Sequence, residues 1–282
     1  MKLLRKTKIL VAFWLILLPV FTASAEPFKR IVSLAPSITE SLYQLQVQDY
    51  LLGVTSYCNH PPQAKTKEII GTLINPSVEK IYSLSPDLVL TVEGINRPQA
   101  IERLQDLGLK VVAFNKANNL DDIIKNFVQL GSLLGREEKA EEIIKEVEAE
   151  ISLVTKKIES VAAVRTFWEV GANPLVSAGG ESFANEFIRY CGGINIFADS
   201  FAGYPRVSRE EVLKRDPEVI VLVTMGDVTE KEKTYWKRFK DLKAARFNRI
   251  YVVDADKVCR PTPVSFLAGL KEVARILHPE IF

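Results

Sequence analysis

The chain has 282 residues, with 37 Lys and Arg against 35 Asp and Glu, a formal charge of +2, and 47% hydrophobic residues. This near balance lacks the basic excess that binding to a polyanion requires, so we expect no nucleic acid partner. The length exceeds the usual single-domain size of about 100 to 150 residues and favours two lobes.

Residues 1–25 have the pattern of a cleavable signal peptide. Four basic residues precede an apolar run over residues 9–21, which ends in Ala23-Ser24-Ala25. The run is shorter than the roughly 20 residues that a spanning helix needs. We therefore predict cleavage before Glu26 and secretion to the periplasm. No Cys follows at a cleavage position, so a lipoprotein anchor is not indicated.

Residues 26–119 alternate between β-rich apolar runs and helical periods. RIVSLAP, LLGVTSY and DLVLTVE are typical of strands, whereas SITESLYQLQ has the helical period. Switching between periods of 2 and 3.6 is typical of βα units on a mostly parallel sheet. We predict an N-terminal βα lobe here.

Residues 120–160 have no strand signal and predict a helical segment. Asp121 begins one predicted helix, which ends near Gly135. In the next helix one apolar stripe has spacings of four, four, three and four, and it consists of Ile143, Val147, Ile151, Val154 and Ile158. The pattern predicts an amphipathic helix of roughly 24 residues, about 36 Å long, that packs along a globular body and connects two lobes.

The βα alternation resumes over residues 161–282 and predicts a C-terminal βα lobe. RTFWEVG and RIYVVDA indicate strands, and ESFANEFIRYCGG and VSFLAGLKEVARIL indicate helices. The predicted fold class is therefore α/β, in the order βα lobe, long helix, βα lobe.

One phrase occurs twice, 131 residues apart. VEKIYSLSPDLVLTV begins at Val78, REEVLKRDPEVIVLV begins at Arg209, and their alignment places Glu79 on Glu210. Each phrase predicts a short helix, a turn and a buried strand. Convergence on a common α/β solution is one explanation. The other is that the lobes are two copies of one architecture related by a pseudo-twofold axis.

Each repeated helix is expected to begin at a cap. Asn75-Pro76 offers a cap followed by Pro, and Ser208 with Glu211 fits the capping box S-x-x-E. Glu79 and Glu210 are then free for another role. An acidic residue in a first turn nevertheless gains about 0.3 to 1 kcal/mol from the helix dipole without any function.

The chain resembles the substrate-binding proteins of cobalamin and iron-siderophore ABC importers, most closely the cobalamin-binding branch. The resemblance covers essentially the whole mature chain in order, through RIVSLAPSITESLYQL, GVTSYCNHPPQA, SPDLVL, Asn173-Pro174, CGGINIF and YPRVSREEVLKRDPEVIVL. It implies two Rossmann-like lobes joined by one backbone helix, from about Glu137 to Ser160, with a ligand cleft between the lobes. It also implies a monomer that is not an enzyme, has no cofactor and delivers cobalamin or another metal chelate to an ABC permease dimer.

The resemblance also assigns individual residues. Glu79 and Glu210 match the acidic residues, one on each lobe, that dock on Arg residues of the permease. The positions that match cleft residues are Tyr57, Trp168, Tyr204, Asp256 and Arg260. Several of them are equally typical of a surface loop, or, for Trp168, of a core. The turn that contains Pro36 and Ser37 is expected to aim a helix N-terminus at a polar ligand edge.

The sequence departs from the cobalamin-binding pattern where that pattern has aromatic residues. Aliphatic or polar residues occur at Thr72 or Leu73, and at Val92, Val170 and Val176. We therefore expect a less aromatic pocket, and another corrinoid, a ferric siderophore or haem remains open as the ligand. A sensor that signals to a membrane partner without transport would have the same sequence.

The inventory of reactive residues limits other functions. With only His60 and His278, the chain cannot form the His cluster of a zinc receptor, although haem ligation through Tyr57 or His60 is chemically allowed. SAGGES, from Ser177, lacks the G-x-S-x-G spacing of a nucleophile elbow. The three cysteines are too few for a disulfide scaffold, and any pair of Cys58, Cys191 and Cys259 could bridge in an oxidising compartment.

Overall fold

The computed structural model describes residues 28–223 and 230–282, so the predicted signal peptide lies outside the described residues. The described chain has the predicted α/β fold, with two sheets and a pair of helices between them in sequence. No helix in these two ranges is long and apolar enough to cross a membrane. The three-part division of the chain at residues 119 and 160 stays a prediction.

The first sheet is entirely parallel. Its strands are β1 (Ile31–Ser33), β2 (Leu51–Val54), β3 (Glu68–Ile69), β4 (Leu88–Val92) and β5 (Val111–Phe114). They lie in the order β3-β2-β1-β4-β5. Every residue of β1 and β4 is buried, as expected of central parallel strands with both faces covered. The helices of this lobe are α1 (Pro36–Gln44), α2 (Val78–Ser83) and α3 (Pro98–Asp106).

Two helices follow the first sheet. They are α4 (Leu120–Leu133) and α5 (Glu137–Ile158), within two residues of the predicted bounds. All five residues of the predicted apolar stripe on α5 are buried. The stripe prediction is therefore confirmed, and α5 packs along α4 and along the last helix of the chain.

The second sheet is mixed. Its strands are β6 (Val164–Ala172), β7 (Leu175–Ser177), β8 (Gly193–Asn195), β9 (Val219–Val223) and β10 (Ile250–Val253). The order is β10-β9-β6-β7, β8 pairs with the start of β6, and only the β6–β7 pair among these is antiparallel. Its helices are α6 (Phe183–Tyr190), α7 (Arg209–Arg215), α8 (Glu230–Trp236), α9 (Lys243–Arg246), α10 (Ala255–Val258) and α11 (Pro263–Leu277).

One apolar core is continuous across both lobes. The same cluster of buried side chains contains Ile31 and Leu88 of the first sheet, Ile151 of α5, Val221 of the second sheet and Phe266 of α11. Packing at crystal-like density resists displacement of such residues. The lobes are therefore joined through a shared interior as well as through the chain.

The repeated phrase begins in the same way in both lobes. Ser77 caps α2 and Ser208 caps α7, and each hydroxyl accepts a hydrogen bond from the backbone N–H three residues later, at 3.3 and 3.1 Å. The prediction that Asn75-Pro76 caps α2 is wrong. Asn75 instead closes a turn with Thr72, whose backbone N–H donates to the Asn75 carbonyl at 3.1 Å. The two capping serines are 131 residues apart, like the rest of the phrase.

The two copies also end alike. Ser85 and Asp216, each directly before a proline, have left-handed backbone with φ of 45° and 43°. This conformation is uncommon for residues other than glycine. A shared departure from the ordinary backbone at equivalent positions favours two copies of one architecture over convergence.

An arginine closes each copy. The Arg30 guanidinium donates to the carbonyl of Leu84, and the Arg165 guanidinium donates to the carbonyl of Arg215 at the end of α7, which is 131 residues after Leu84. The backbone N–H of Arg30 donates to Asp87 at 3.1 Å, and that of Arg165 donates to Glu218 at 2.9 Å. The repeat thus extends to individual hydrogen bonds.

Glu169 is a buried carboxyl group in β6. One of its oxygens accepts a hydrogen bond from Trp236 Nε1 at 2.7 Å, and the other has no hydrogen-bond partner among the described residues. Burial raises the pKa of Glu169 to about 8. The neutral carboxyl therefore stabilises the fold fully below about pH 4.5, and this stabilisation is lost as the pH rises through 8.

We expect Glu169→Gln, which keeps the neutral shape, to match the wild type near pH 4.5 and to exceed its free energy of unfolding by roughly 2 to 4 kcal/mol near pH 8.5. Urea unfolding followed by tryptophan fluorescence measures both values. Glu102→Gln, at an exposed position of α3, is the control. The same pH dependence in the wild type and in Glu169→Gln would contradict the assignment.

Candidate functional site

A cavity of about 450 Å³ lies between the lobes. Its volume is within the range of small-molecule pockets. The first βα turn, the ends of β4 and β5, and α4 form one side, and β6, the start of α6 and the loop before α11 form the other. Most of the side chains in the wall are apolar.

Five of the seven predicted ligand contacts lie in this wall, and they are Pro36, Ser37, Trp168, Tyr204 and Arg260. Trp168 is almost fully buried and stacks on Phe187, with ring centroids 6.1 Å apart and planes 6° apart. It is therefore both a core residue and part of the wall. Its contact with a ligand, like that of the other four, stays a prediction.

The other two predicted contacts lie outside the wall. Tyr57 is 61% exposed, whereas the neighbouring Cys58 is buried with its Sγ 3.2 Å from Thr55 Oγ1. Asp256 lies on α10, and its carboxylate pairs with Arg260 at 2.6 Å. The structure thus connects Asp256 to the cavity only through Arg260.

Three of the four positions where aromatic residues were missing belong to the wall. Leu73, Val92 and Val170 line the cavity, whereas Val176 does not. Their aliphatic side chains therefore shape the cavity, and their contact with a ligand stays a prediction.

Three aromatic residues of the wall were missed in the sequence. Phe114 ends β5, Phe127 lies on the buried face of α4, and Phe183 begins α6. With Trp168 and Tyr204 they give the wall five aromatic side chains. One signal could have found Phe114 and Phe183, since ligands of α/β sheets bind where strands end and helices begin.

Arg260 joins the two lobes at the edge of the cavity. It is buried, and its Nη2 donates to Asn59 Oδ1 of the N-terminal lobe and lies within ion-pair distance of Asp256, both at 2.6 Å. Its Nη1 lies 3.8 Å from Glu40 Oε2. The guanidinium therefore connects groups from both lobes, whether or not it also contacts a ligand.

Glu40 is the buried centre of this connection. It lies on α1 and accepts hydrogen bonds from Gln44 at 2.9 Å, from Thr262 at 2.8 Å and from Ser265. Burial raises the pKa of Glu40, against the opposing effect of Ser265, Thr262 and the Arg260 charge. Thr262 caps α11, so the network ties α1 of the first lobe to the start of the last helix.

The cysteines and histidines form no metal centre in the described chain. No disulfide joins the three cysteines in the described chain; Cys58 and Cys191 are buried, and the exposed Cys259 belongs to the cavity wall. Within residues 28–223 and 230–282, no group of three His, Cys, Asp or Glu is placed to hold a metal ion. His60 is exposed outside the cavity wall, and His278 is buried 2.8 Å from the carbonyl of Cys191.

Comparison with known proteins identifies the family. Residues 31–257 match the model of the periplasmic binding protein family. The chain belongs to this family. The resemblance and the two-lobe α/β fold predicted from the sequence are thereby confirmed, and the membership places the protein among extracytoplasmic binding proteins.

Two relatives cover most of the chain. A vitamin B12-binding protein of Vibrio parahaemolyticus is 30% identical over 87% of this chain and 90% of its own length. An uncharacterized ABC transporter substrate-binding lipoprotein of Bacillus subtilis, YvrC, is 32% identical over 93% and 83%. The similarity therefore extends over both lobes.

A solved structure has the same fold. The periplasmic vitamin B12 binding protein BtuF of Vibrio cholerae is 29% identical, with a TM-score of 0.77 over 90% of this chain and 98% of that one. Other solved structures with this fold are described as iron-binding or haem-binding proteins. The fold alone therefore does not select the ligand.

We expect Arg260→Ala to lower the free energy of unfolding by about 3 kcal/mol, because it leaves the Glu40 carboxylate buried without its cation. Glu40→Gln removes that charge, so the double variant Arg260→Ala/Glu40→Gln should lose less than the sum of the two single variants. Urea unfolding of the four proteins measures the coupling, with Arg97→Ala as the exposed control. A loss no larger than that of Arg97→Ala would refute the connection between the lobes.

Proposed function

We propose that the protein is the substrate-binding component of an ABC importer and captures a corrinoid, with cobalamin as the first candidate. The observation that carries the proposal is the aromatic cavity between two lobes that share one core. The vitamin B12-binding relatives and the ABC transporter relative support it over most of both lobes. The mature protein acts as a periplasmic monomer after removal of residues 1–25.

The wall suits a large ligand with flat, apolar surfaces. Phe127, Trp168, Phe183 and Tyr204 offer broad contact at low cost in conformational entropy. At one end α1 begins with Pro36, and its cap residue Ala35 supplies no side-chain hydrogen bond. The backbone N–H groups of that first turn are suited to a polar edge of the ligand.

Titration calorimetry of residues 26–282 with cyanocobalamin tests the ligand, with haem and a ferric siderophore as comparators. We expect submicromolar binding of cyanocobalamin. Tyr204→Ala should weaken it about three- to tenfold, because the variant removes an aromatic contact from the wall. The control is Tyr82→Ala, since Tyr82 is a comparably exposed tyrosine on α2. Binding of haem or the siderophore without cyanocobalamin would replace the corrinoid as the ligand, and binding of none would contradict the proposal.

The delivery step is assigned to the repeated helices. Glu79 and Glu210 are exposed two residues after their capping serines, and the Ser77 hydroxyl donates to Glu79 at 3.2 Å. The pKa of Glu210 is held below its usual value, first by its own backbone N–H and then by the Ser208 hydroxyl. The two carboxylates are thus not free of contacts, but they remain accessible. Pairing with Arg residues on two permease subunits would orient the docked receptor.

Glu79→Ala/Glu210→Ala should leave the affinity for cyanocobalamin unchanged and abolish uptake, because both residues lie outside the cavity wall. Uptake of radiolabelled cyanocobalamin by cells that also produce the partner permease measures the second effect. Glu102→Ala/Glu159→Ala removes two exposed carboxylates elsewhere and serves as the control. Unchanged uptake in Glu79→Ala/Glu210→Ala would defeat the docking role. A wild type that binds but supports no uptake would favour the sensor alternative.

A further inference from the structure

The charged side chains of the cavity wall are all cationic among the described residues. Among the residues that the structure describes, the wall contains two cations, Arg260 and Lys116, and no Asp or Glu. The wall is otherwise apolar or carries neutral polar groups. Which of these cations is available decides where a charged part of the ligand can bind.

Arg260 already has its partners. Its guanidinium lies 2.6 Å from Asp256 and 3.8 Å from Glu40, and it donates to Asn59. An anion brought to this place would meet the guanidinium together with two carboxylates. Because like charges at close range oppose each other, Arg260 is a poor partner for an anionic ligand.

Lys116 is in the opposite situation. It lies in the loop between β5 and α4, is exposed, and has no ion pair or side-chain hydrogen bond among the described residues. Asn115 and Asn126 line the wall with it, and Asn126 Nδ2 donates to the Asn115 carbonyl at 2.8 Å. A lysine ammonium on a flexible stem, next to amide donors, is suited to a carboxylate or a phosphate.

We infer that Lys116 forms an anion-binding end of the cavity and that the ligand is an apolar chelate with a carboxylate or phosphate group bound there. This inference rests on the proposed function and specifies the class of its ligand. Arg260 serves to hold the lobes, since Asp256 and Glu40 already pair with its charge.

Matched ligands test the inference. Cyanocobalamin contains a phosphodiester that dicyanocobinamide lacks, and haem has two carboxylates that its dimethyl ester lacks. Calorimetry with the wild type and with Lys116→Gln compares the members of each pair. We expect Lys116→Gln to weaken the binding of the anionic ligand of each pair, cyanocobalamin or haem, about three- to tenfold. The binding of the ligand without the anionic group should weaken less than about twofold. The difference between these two effects of Lys116→Gln should become smaller as the salt concentration rises from about 0.05 M to about 0.5 M, because salt screens the charge contact.

Two further variants separate the local contact from general charge. Lys116→Arg should retain the affinity for the anionic member. Lys125→Gln, which removes one positive charge from an exposed site on α4 outside the wall, should leave both affinities unchanged. An equal loss on both members of a pair, or no loss, would overturn the role of Lys116 while leaving the proposed function intact. A wild type that binds neither pair would overturn the proposed function and this inference with it.

Discussion

The apolar core that α5 shares with both sheets is the constraint on which the site depends. A cavity between two lobes has a defined shape only when the lobes have a defined relation, and here side chains of both lobes, α5 and α11 are buried in one cluster. The Arg260–Glu40 network adds polar contacts at the edge of the same interface. The cavity wall is therefore built on a scaffold that resists shear and rotation.

The chemistry of the wall follows from where its residues originate. Strand ends and helix starts of the two lobes bring five aromatic rings to one space, which suits recognition by shape and contact area. The few charged groups differ in whether they already have ion-pair or hydrogen-bond partners within the protein. Arg260 is held by its neighbours, whereas Lys116 has no such partner among the described residues, so we expect any recognition of ligand charge to be concentrated at the end with Lys116.

Much of the architecture was predictable because it follows regular patterns in the sequence. The apolar stripe of α5 and the duplicated phrase are patterns in sequence, and both have the predicted structure. Asn75 was misassigned as a cap because the sequence does not show its turn with Thr72, although the alignment on Ser208 points to Ser77. The ends of predicted elements point to Phe114 and Phe183, but the contribution of Phe127 depends on packing between elements distant in the chain, which local patterns do not encode.

The duplicated hydrogen bonds around α2 and α7 have a mechanical consequence. The helix that carries each exposed carboxylate is held in place by a serine cap, a left-handed turn and an arginine contact. Glu79 and Glu210 therefore mark the positions of their lobes, and the core that the lobes share limits how far the separation between the two helices can change. A twofold-symmetric partner that engages both carboxylates would therefore recognise the arrangement of the two lobes from outside the molecule.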